Sequence, residues 1–291
     1  MARTLDLSTD QLTATEPPSW DDWSLLFIGT ATVLLHYGGF TILTDPNFLH
    51  KHDVARLGYG LRSRRLTDPA MEIHALPPID LVVLSHFHED HFDRTVERDL
   101  DKSVPILTTK HGAHALRQRG FTAVEELKIW ESITVTKGNA SLRLTAAPGT
   151  HGPGIVGKLL PPVMGSILEF FPEGSQPRFR LYITGDTLVF DKLREIPQRF
   201  PELDLALLHL GGTRAFGILV TMDGKQGVEV MRIVNPKLAI PIHYNDYTVF
   251  KSPLSDFQQA VQDAGLTDRV HYLAHGETYS FRVNAPDVEG R

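Results

Sequence analysis

The chain contains no cysteine among its 291 residues. This absence excludes disulfide bonds, a thiolate nucleophile and every zinc site with sulfur ligands, so a metal ion would have to be bound by His, Asp or Glu. The sequence also lacks any run that approaches the roughly 18 apolar residues of a membrane span. Because the first residues lack the apolar segment of a secretory signal, we expect a cytoplasmic protein without a membrane span.

An excess of positive charge is missing as well. Lys and Arg total 29 and Asp and Glu total 35, which gives a formal net charge of −6. We therefore expect no general electrostatic attraction to nucleic acid or to an anionic membrane, and we expect a small molecule as the substrate. With 42% hydrophobic and 22% charged residues, the composition is that of a globular protein with a sizeable core. None of these features indicates an oligomeric state.

Short apolar runs rich in β-branched residues alternate with turns and predict β-strands. These runs are 25–28, 32–35, 41–43, 81–84, 142–146, 166–170, 179–184, 203–208 and 238–242. Asp223 can cap a helix that Asn235 and Pro236 end, and a second helix over 254–264 ends at Gly265. This order of elements predicts an α/β fold in which two sheets pack together with helices outside.

The strongest chemical signal follows directly on the predicted strand at 81–84. Residues 85–91 read Ser-His-Phe-His-Glu-Asp-His, which places three imidazoles and the carboxylate of Asp90 within a few residues. His86 and His88 alternate along an extended segment, so both can face one side, whereas Asp90 and His91 can turn toward a second position. The spacing therefore predicts a segment that serves two metal ions.

Other predicted strands end in a candidate ligand in the same way. His151, Asp186 and His243 each follow closely on a strand, and ligands in α/β folds gather at the carboxyl ends of strands. Taken singly, each histidine also fits an ordinary loop residue, and the aspartate fits a turn. Their repetition at the same structural position favours the metal-ligand interpretation.

Together these motifs resemble the metallo-β-lactamase superfamily, and within it the branch of N-acylphosphatidylethanolamine phospholipase D and ascorbate-6-phosphate lactonase. The resemblance covers about residues 24–282 and rests on residues 28–32, 43–46, 86–91, 151, 184–187, 210–212 and 240–243. It implies a four-layer αββα sandwich with a binuclear site at its upper edge. The expected organisation is a polar lead-in over 1–23, a single domain over 24–282 and a tail over 283–291.

The resemblance also implies a ligand set. The first metal ion would be held by His86, His88 and His151, and the second by Asp90, His91 and His243, with Asp186 bridging the two. Asp45 matches an acidic residue that orients the metal-binding loop, although an aspartate before Pro46 also fits a simple turn. Zinc is the first expectation for both ions, and manganese or iron also suits a site of imidazoles and carboxylates.

Such a pair of ions would share a bridging hydroxide, with Asp90 and Asp186 as catalytic groups, and would hydrolyse a phosphodiester, a lactone or another ester. A diiron-type redox protein on the same fold and a β-lactam hydrolase remain as alternatives. His209 is a candidate proton donor because it lies at a strand end where many relatives carry proline, although a packed histidine also fits that position. A scaffold protein and a nuclease are disfavoured.

The substrate is the least specified part of the sequence. Cationic side chains at Arg62, Arg64, Arg65, Lys158 and Arg214 would meet a phosphate or carboxylate of an anionic substrate, or would simply be solvated. The irregular segment 45–78 and the apolar segment 152–165 are the candidate pocket walls. Each of the two segments also fits a plain connection between strands.

Overall fold

The computed structural model describes residues 3–7, 20, 22–58, 60–172 and 176–282. The strands are β1 Arg3–Asp6, β2 Asp22–Gly29, β3 Thr32–Tyr37, β4 Phe40–Thr44, β5 Val54–Arg56, β6 Arg62–Arg64, β7 Leu81–Val83, β8 Ile106–Thr108, β9 Val124–Glu126, β10 Ser132–Lys137, β11 Ala140–Pro148, β12 Met164–Phe171, β13 Phe179–Ile183, β14 Leu205–His209, β15 Arg214–Ala215, β16 Ile218–Leu219, β17 Leu238–Ile242 and β18 Thr278–Arg282. The helices are α1 Arg94–Asp99, α2 Lys110–Gln118, α3 Gly154–Leu159, α4 Glu195–Arg199, α5 Gly224–Val234 and α6 Leu254–Asp263. Short 3-10 turns cover Ile73–Ala75, Asp191–Arg194 and Thr267–Arg269.

These strands form two seven-stranded sheets and two small hairpins. One sheet has the order β18-β2-β3-β4-β7-β8-β9, and the other has the order β1-β10-β11-β12-β13-β14-β17. Both sheets are mixed. Neighbouring strands pair in parallel along β4-β7-β8-β9 in the first sheet and along β13-β14-β17 in the second. The hairpins are β5-β6 and β15-β16.

Three hydrophobic clusters define the layers. The largest lies between the two sheets and includes Phe27 from β2 and Phe170 from β12. A second cluster packs β14 against α5 and α6, around Phe257, and a third packs β7 against α1 and α2, around Leu116. The predicted four-layer αββα sandwich is therefore confirmed.

Local sequence explains the elements that were predicted. All residues of β12 are buried because that strand is covered on both faces, which matches its almost continuously apolar sequence. Asp223 caps α5 by accepting a hydrogen bond from the backbone N–H of Gln226, and Asn235 ends the helix in the left-handed region at φ 51°. Each of the nine predicted strand segments overlaps an observed strand.

The ends of the chain are only partly described. The strand β1 lies within the predicted polar lead-in and pairs in parallel with β10. Residues 8–19 and the predicted tail over 283–291 lie outside the described residues. The helices of the described residues are too short or too polar to span a bilayer.

Candidate metal centre

The candidate ligands meet where the carboxyl ends of strands from both sheets face each other. In the first sheet, β4 leads into Asp45 and β7 leads into the segment that starts at His86. In the second sheet, His151 follows β11, Asp186 follows β13 and His243 follows β17. Parallel neighbours end at the same edge of a sheet, so residues far apart in sequence come together here.

Three histidines form one group. The ring nitrogens of His86, His88 and His151 that could bind a metal ion lie within 4.8 Å of one another, and all three side chains are buried. His86 Nε2 is 2.9 Å from His88 Nδ1. His151 Nδ1 donates a hydrogen bond to the carbonyl oxygen of Val220 at 2.9 Å, which leaves its Nε2 for a ligand.

A second group lies beside the first. Asp90, His91 and His243 also place their ligand atoms within 4.8 Å of one another. His243 Nε2 is 3.6 Å from Asp90 Oδ2, and the Nδ1 atom of the same ring donates to the carbonyl oxygen of Leu210 at 3.1 Å. The backbone therefore fixes the ring orientation of this histidine, as it does for His151.

Asp186 lies between the two groups. Its carboxylate forms a further cluster with His86 and His91, within the same 4.8 Å limit. Oδ2 is 3.4 Å from His91 Nε2, and Oδ1 is 3.5 Å from His243 Nδ1. Thr221 Oγ1 donates a hydrogen bond to Oδ2 at 3.0 Å and so holds the carboxylate in place.

Asp45 lies behind the ligands and organises them. Its Oδ1 accepts hydrogen bonds from the backbone N–H and the hydroxyl of Ser85, both at 2.8 Å, and is 3.4 Å from His91 Nδ1. Ser85 Oγ is also 3.0 Å from His86 Nδ1. One carboxylate and one hydroxyl therefore orient a histidine from each group.

The backbone adopts unusual conformations at this edge. Asp45 and His243 have φ values of 35° and 61°, in the left-handed region that costs energy for residues other than glycine. Gly185 also has a positive φ of 62°, and a Cβ there would lie 2.8 Å from the carbonyl oxygen of Met164. Strain of this kind is concentrated at functional sites, where the surrounding structure holds it in place.

Burial and the nearby carboxylates set the protonation of the histidines. Burial, followed by the neighbouring His151, lowers the pKa of His88 to about 3, and burial lowers the pKa of His86 well below its usual value. Burial alone would lower the pKa of His91, but Asp186 and Asp90 outweigh it and raise that pKa. His86 and His88 are therefore neutral imidazoles, the form that binds metal ions.

The donor set fits divalent cations. Asp45, Asp90 and Asp186 bring three buried carboxylates together, and buried carboxylates need partners of opposite charge. Several buried ligand atoms have no hydrogen-bond partner within the described part of the chain: His88 Nε2, Asp90 Oδ1, His91 Nε2, Asp186 Oδ1 and His243 Nε2. Buried polar atoms are rarely left unsatisfied, so this concentration of them indicates a ligand that accepts electron pairs.

His209 lies beside the two groups and forms a further cluster with Asp45 and His91, whose candidate ligand atoms are also within 4.8 Å of one another. Its side chain is fully buried, with Nε2 3.3 Å from Asp45 Oδ2 and Nδ1 3.2 Å from Thr184 Oγ1. Asp45 therefore has His209 on one side and His91 on the other. This arrangement favours a role in positioning Asp45.

A cavity of about 810 Å³ opens beside His88. Both irregular segments of the sequence contribute to its wall: Arg56 and Gly58 come from 45–78, and residues 159–162 come from 152–165. Its other walls include Phe87 and Arg119. The cavity has the size of a small-molecule site and reaches a candidate ligand of the first group.

The cationic side chains predicted near the substrate have different environments. Arg65 is fully buried and donates to Asn47 and to the carbonyl oxygen of Thr67, so it holds the irregular segment together and cannot meet a substrate. Arg62 and Arg64 are exposed on β6. Arg214 donates to the carbonyl oxygen of Gly217 and lines a different cavity. The side chain of Lys158 is outside the described structure.

The sequence interpretation missed several residues of the site. Ser85 precedes His86 directly, and this adjacency was the available signal for its role. Thr221 lies far along the chain from Asp186 and had no local signal, because the two segments meet only in the folded chain, where the backbone N–H of Met222 donates to the carbonyl oxygen of Thr187. Arg56 was also missed.

Comparison with known proteins places these observations in a family. A profile of the Beta-lactamase superfamily domain matches residues 41–244. The chain is 27% identical over 207 residues to a UPF0173 metal-dependent hydrolase of Nanoarchaeum equitans, with 70% of this chain and 87% of the relative covered. It is 26% identical over 239 residues to a UPF0173 metal-dependent hydrolase of Natranaerobius thermophilus, with 82% and 91% covered.

The fold is also shared with solved structures. An isothiocyanate hydrolase from Delia radicum gut bacteria superposes with a TM-score of 0.74 and covers 89% of this chain and 99% of its own, at 22% sequence identity. Resemblance to the phospholipase and lactonase branch stays a prediction. The matched region contains the strand ends that carry every candidate ligand. The chain therefore belongs to the beta-lactamase superfamily, among its metal-dependent hydrolases.

Proposed function

We propose that the chain is a binuclear hydrolase that cleaves a phosphodiester, a lactone or another ester. One observation carries the proposal: two adjacent groups of three ligands, with Asp186 between them, leave buried nitrogen and oxygen atoms without a hydrogen-bond partner among the described residues. Seven ligand side chains exceed what a single four-coordinate ion uses. His86, His88 and His151 would hold one ion, and Asp90, His91 and His243 the other.

Two divalent ions in these positions would supply a water-derived nucleophile near neutral pH and would polarise the bond under attack. Hydrolysis would join the oxygen of a water molecule to the carbonyl carbon or phosphorus and break the bond to the leaving oxygen, and the proton lost by the water would pass to that leaving oxygen. Zinc is the expected ion, because each ion would be held by only a few imidazole and carboxylate ligands, and manganese or iron is the alternative.

The chain's own residues orient the ligands and move the proton. Ser85 and Thr221 donate hydrogen bonds that fix Asp45 and Asp186, so the ligand positions are set before a substrate arrives. The Oδ1 atoms of Asp90 and Asp186 are both buried and lack a hydrogen-bond partner in the described structure. Because Asp186 would bind both ions, Asp90 is the carboxylate that we expect to accept the proton of the attacking water. Asp90 and Asp186 are thus the proposed catalytic carboxylates.

Metal analysis tests the number of ions. Elemental analysis of zinc-loaded protein should give two ions per chain, and His88→Ala should lower the count and abolish hydrolysis while the fold persists. His114→Ala is the matched control, because His114 is exposed on α2 and contacts Gln118 rather than the ligand groups. A count that never exceeds one ion in metal-saturated protein would contradict the binuclear proposal.

A substrate panel tests the reaction class. Bis(4-nitrophenyl) phosphate, a lactone, 4-nitrophenyl esters and a chromogenic β-lactam cover the proposed bonds, and benzyl isothiocyanate is included because an isothiocyanate hydrolase has this fold. Hydrolysis of an ester or phosphodiester that is lost in His88→Ala is the expected result. Iron with a visible-range absorption band and no hydrolysis would favour the redox alternative.

A cytoplasmic location stays a prediction.

A further inference from the structure

The β5-β6 hairpin presents three arginines on one face. Arg56 lies directly opposite Arg62 in the register, and Arg64 lies two residues further along the same face. These three side chains are exposed, whereas Ala55 and Ser63 between them are buried. We call Arg56, Arg62 and Arg64 the arginine ribbon.

Within the part of the chain that the structure describes, no carboxylate neutralises the charges of the arginine ribbon. Throughout the described ranges, no carboxylate forms an ion pair with any of its three guanidinium groups, whereas the neighbouring Arg94 contacts both Asp53 and Glu89. Like charges at directly opposite positions of two strands destabilise the pair. This local repulsion occurs in a chain with a net charge of −6, and an anion bound at the ribbon would relieve it.

Hydrogen bonds and packing anchor the backbone that carries the arginine ribbon. The backbone N–H of Arg64 donates to Thr248 Oγ1 at 3.1 Å, and Ser63 Oγ accepts from the backbone N–H of Val249 at 3.0 Å. Beneath the ribbon, Ala55 packs in an apolar cluster with Tyr247. The guanidinium groups are therefore carried by a fixed backbone, which lowers the entropy cost of binding an anion.

Arg56 connects the ribbon to the metal centre. It lines the cavity of about 810 Å³ that contains His88. It also lines a neighbouring cavity of about 750 Å³, whose wall includes the rest of the ribbon and Arg94. Its backbone N–H donates to Glu89 Oε2 at 2.6 Å, directly beside His88 in sequence. One small molecule can thus contact both the metal centre and the ribbon.

Part of the wall of the His88 cavity is apolar. Phe87, Phe92 and residues 159–162 contribute to it beside polar side chains such as Arg119, whose guanidinium carbon lies 4.6 Å from the centroid of the Phe87 ring, and Leu159 is 61% exposed. Large apolar side chains with this exposure are uncommon in the described structure, where most are packed in the core. An apolar group of a ligand would cover this wall and gain the hydrophobic free energy of burial.

We propose that the substrate of the metal centre is an amphiphilic anion. Its phosphate or carboxylate group binds the arginine ribbon, its apolar group lies against Phe87 and Leu159, and its scissile bond lies at His88. This inference rests on the proposed hydrolase function and adds the class of substrate to it. A phosphate and a carboxylate can each accept two parallel hydrogen bonds from one planar guanidinium group.

Ligand binding tests the inference without requiring turnover. We would titrate 4-phenylbutylphosphonate, and 4-phenylbutan-1-ol as its neutral counterpart, into zinc-loaded protein by calorimetry. Arg56→Gln/Arg62→Gln should weaken phosphonate binding at least about tenfold and leave alcohol binding within about twofold, because each lost contact is charge-assisted. Arg214→Gln/Arg232→Gln, which removes the same charge at another cavity, is the control and should leave both affinities unchanged.

The apolar wall and the metal centre have separate variants. Leu159→Ser should weaken both ligands to a similar degree, because the exposed leucine contacts the part that they share. Phosphonate binding that persists in the ribbon variant and disappears in His88→Ala would overturn the inference, since the metal ions would then hold the anion, while the proposed hydrolase would stand. Tighter binding of a single-stranded oligothymidylate than of the phosphonate, lost in the ribbon variant, would overturn it in favour of nucleic acid.

Discussion

Replacing Asp45 with asparagine removes one negative charge from the metal centre and changes little else. Asparagine tolerates the positive φ of 35° at this position about as well as aspartate does. Its amide oxygen can replace Oδ1 as the acceptor for both hydrogen bonds from Ser85. The amide nitrogen of the asparagine then faces His209 Nε2. That nitrogen can accept a hydrogen bond from the amide when the ring proton of His209 is on Nδ1, beside Thr184. We therefore expect the variant to fold.

The expected loss concerns the ion held by His91. Asp45 Oδ1 is 3.4 Å from His91 Nδ1, and a carboxylate in that position raises the basicity of the opposite ring nitrogen. Burial would raise the pKa of Asp45, but hydrogen bonds from His209 and His91 outweigh it and lower that pKa to about 2, so the carboxylate is charged. Losing such a partner weakens metal binding by about 10–100-fold, or about 1.4–2.8 kcal/mol.

Stepwise zinc titration against a competing chelator measures both dissociation constants. Asp45→Asn should weaken one site by the stated factor and leave the site of His86, His88 and His151 almost unchanged. Asp80→Asn is the control, because Asp80 accepts hydrogen bonds from the backbone of Thr41 and from Lys137 away from the ligands, so its loss should affect stability alone. Two dissociation constants equal to those of the wild type would refute the reasoning.

Three further variants extend these expectations. Asp186→Asn should weaken both metal sites at least about tenfold, because one carboxylate faces both ligand groups; two unchanged sites in the same titration would contradict this. His209→Gln should lower kcat/KM by about 10–100-fold to the same extent for nitrophenolate and alkoxide leaving groups, since it acts through Asp45; a loss confined to alkoxides would instead identify a proton donor. Asp246→Asn should lower the free energy of unfolding at pH 7 by about 1.5–3 kcal/mol, because the buried carboxylate accepts hydrogen bonds from the backbone of Thr30 and from Thr67. Burial would raise the pKa of Asp246, but His275 outweighs burial and lowers that pKa. The stabilisation by the Asp246 carboxylate is therefore present above the unfolded pKa of about 3.9 and is lost at lower pH. Urea unfolding curves with the same acid dependence in the wild type and in Asp246→Asn would exclude this stabilisation.

The sequence by itself determined nine of the described strands, two of the helices and the identity of the candidate ligands. The strand β7 can be predicted from its apolar run, because a strand that is buried on both faces needs apolar residues at consecutive positions. The start and end of α5 are readable because Asp223 and Asn235 act on backbone groups within a few residues. The segment 85–91 is readable for the same reason: its chemistry is concentrated in neighbouring residues, and the absence of cysteine limits the ligands to histidine and carboxylate.

Only the tertiary structure decided which side chains meet and which do not. Arg64 and Arg65 are neighbours in sequence, yet the first is exposed on the ribbon and the second is buried against Asn47, because adjacent residues of an extended chain point in opposite directions. Thr221 reaches Asp186 because the backbone of the neighbouring Met222 is hydrogen-bonded to Thr187 in the folded chain. Short-range patterns specify each strand and its end, whereas the contacts between ends depend on how two sheets pack, and that packing is set by the whole core.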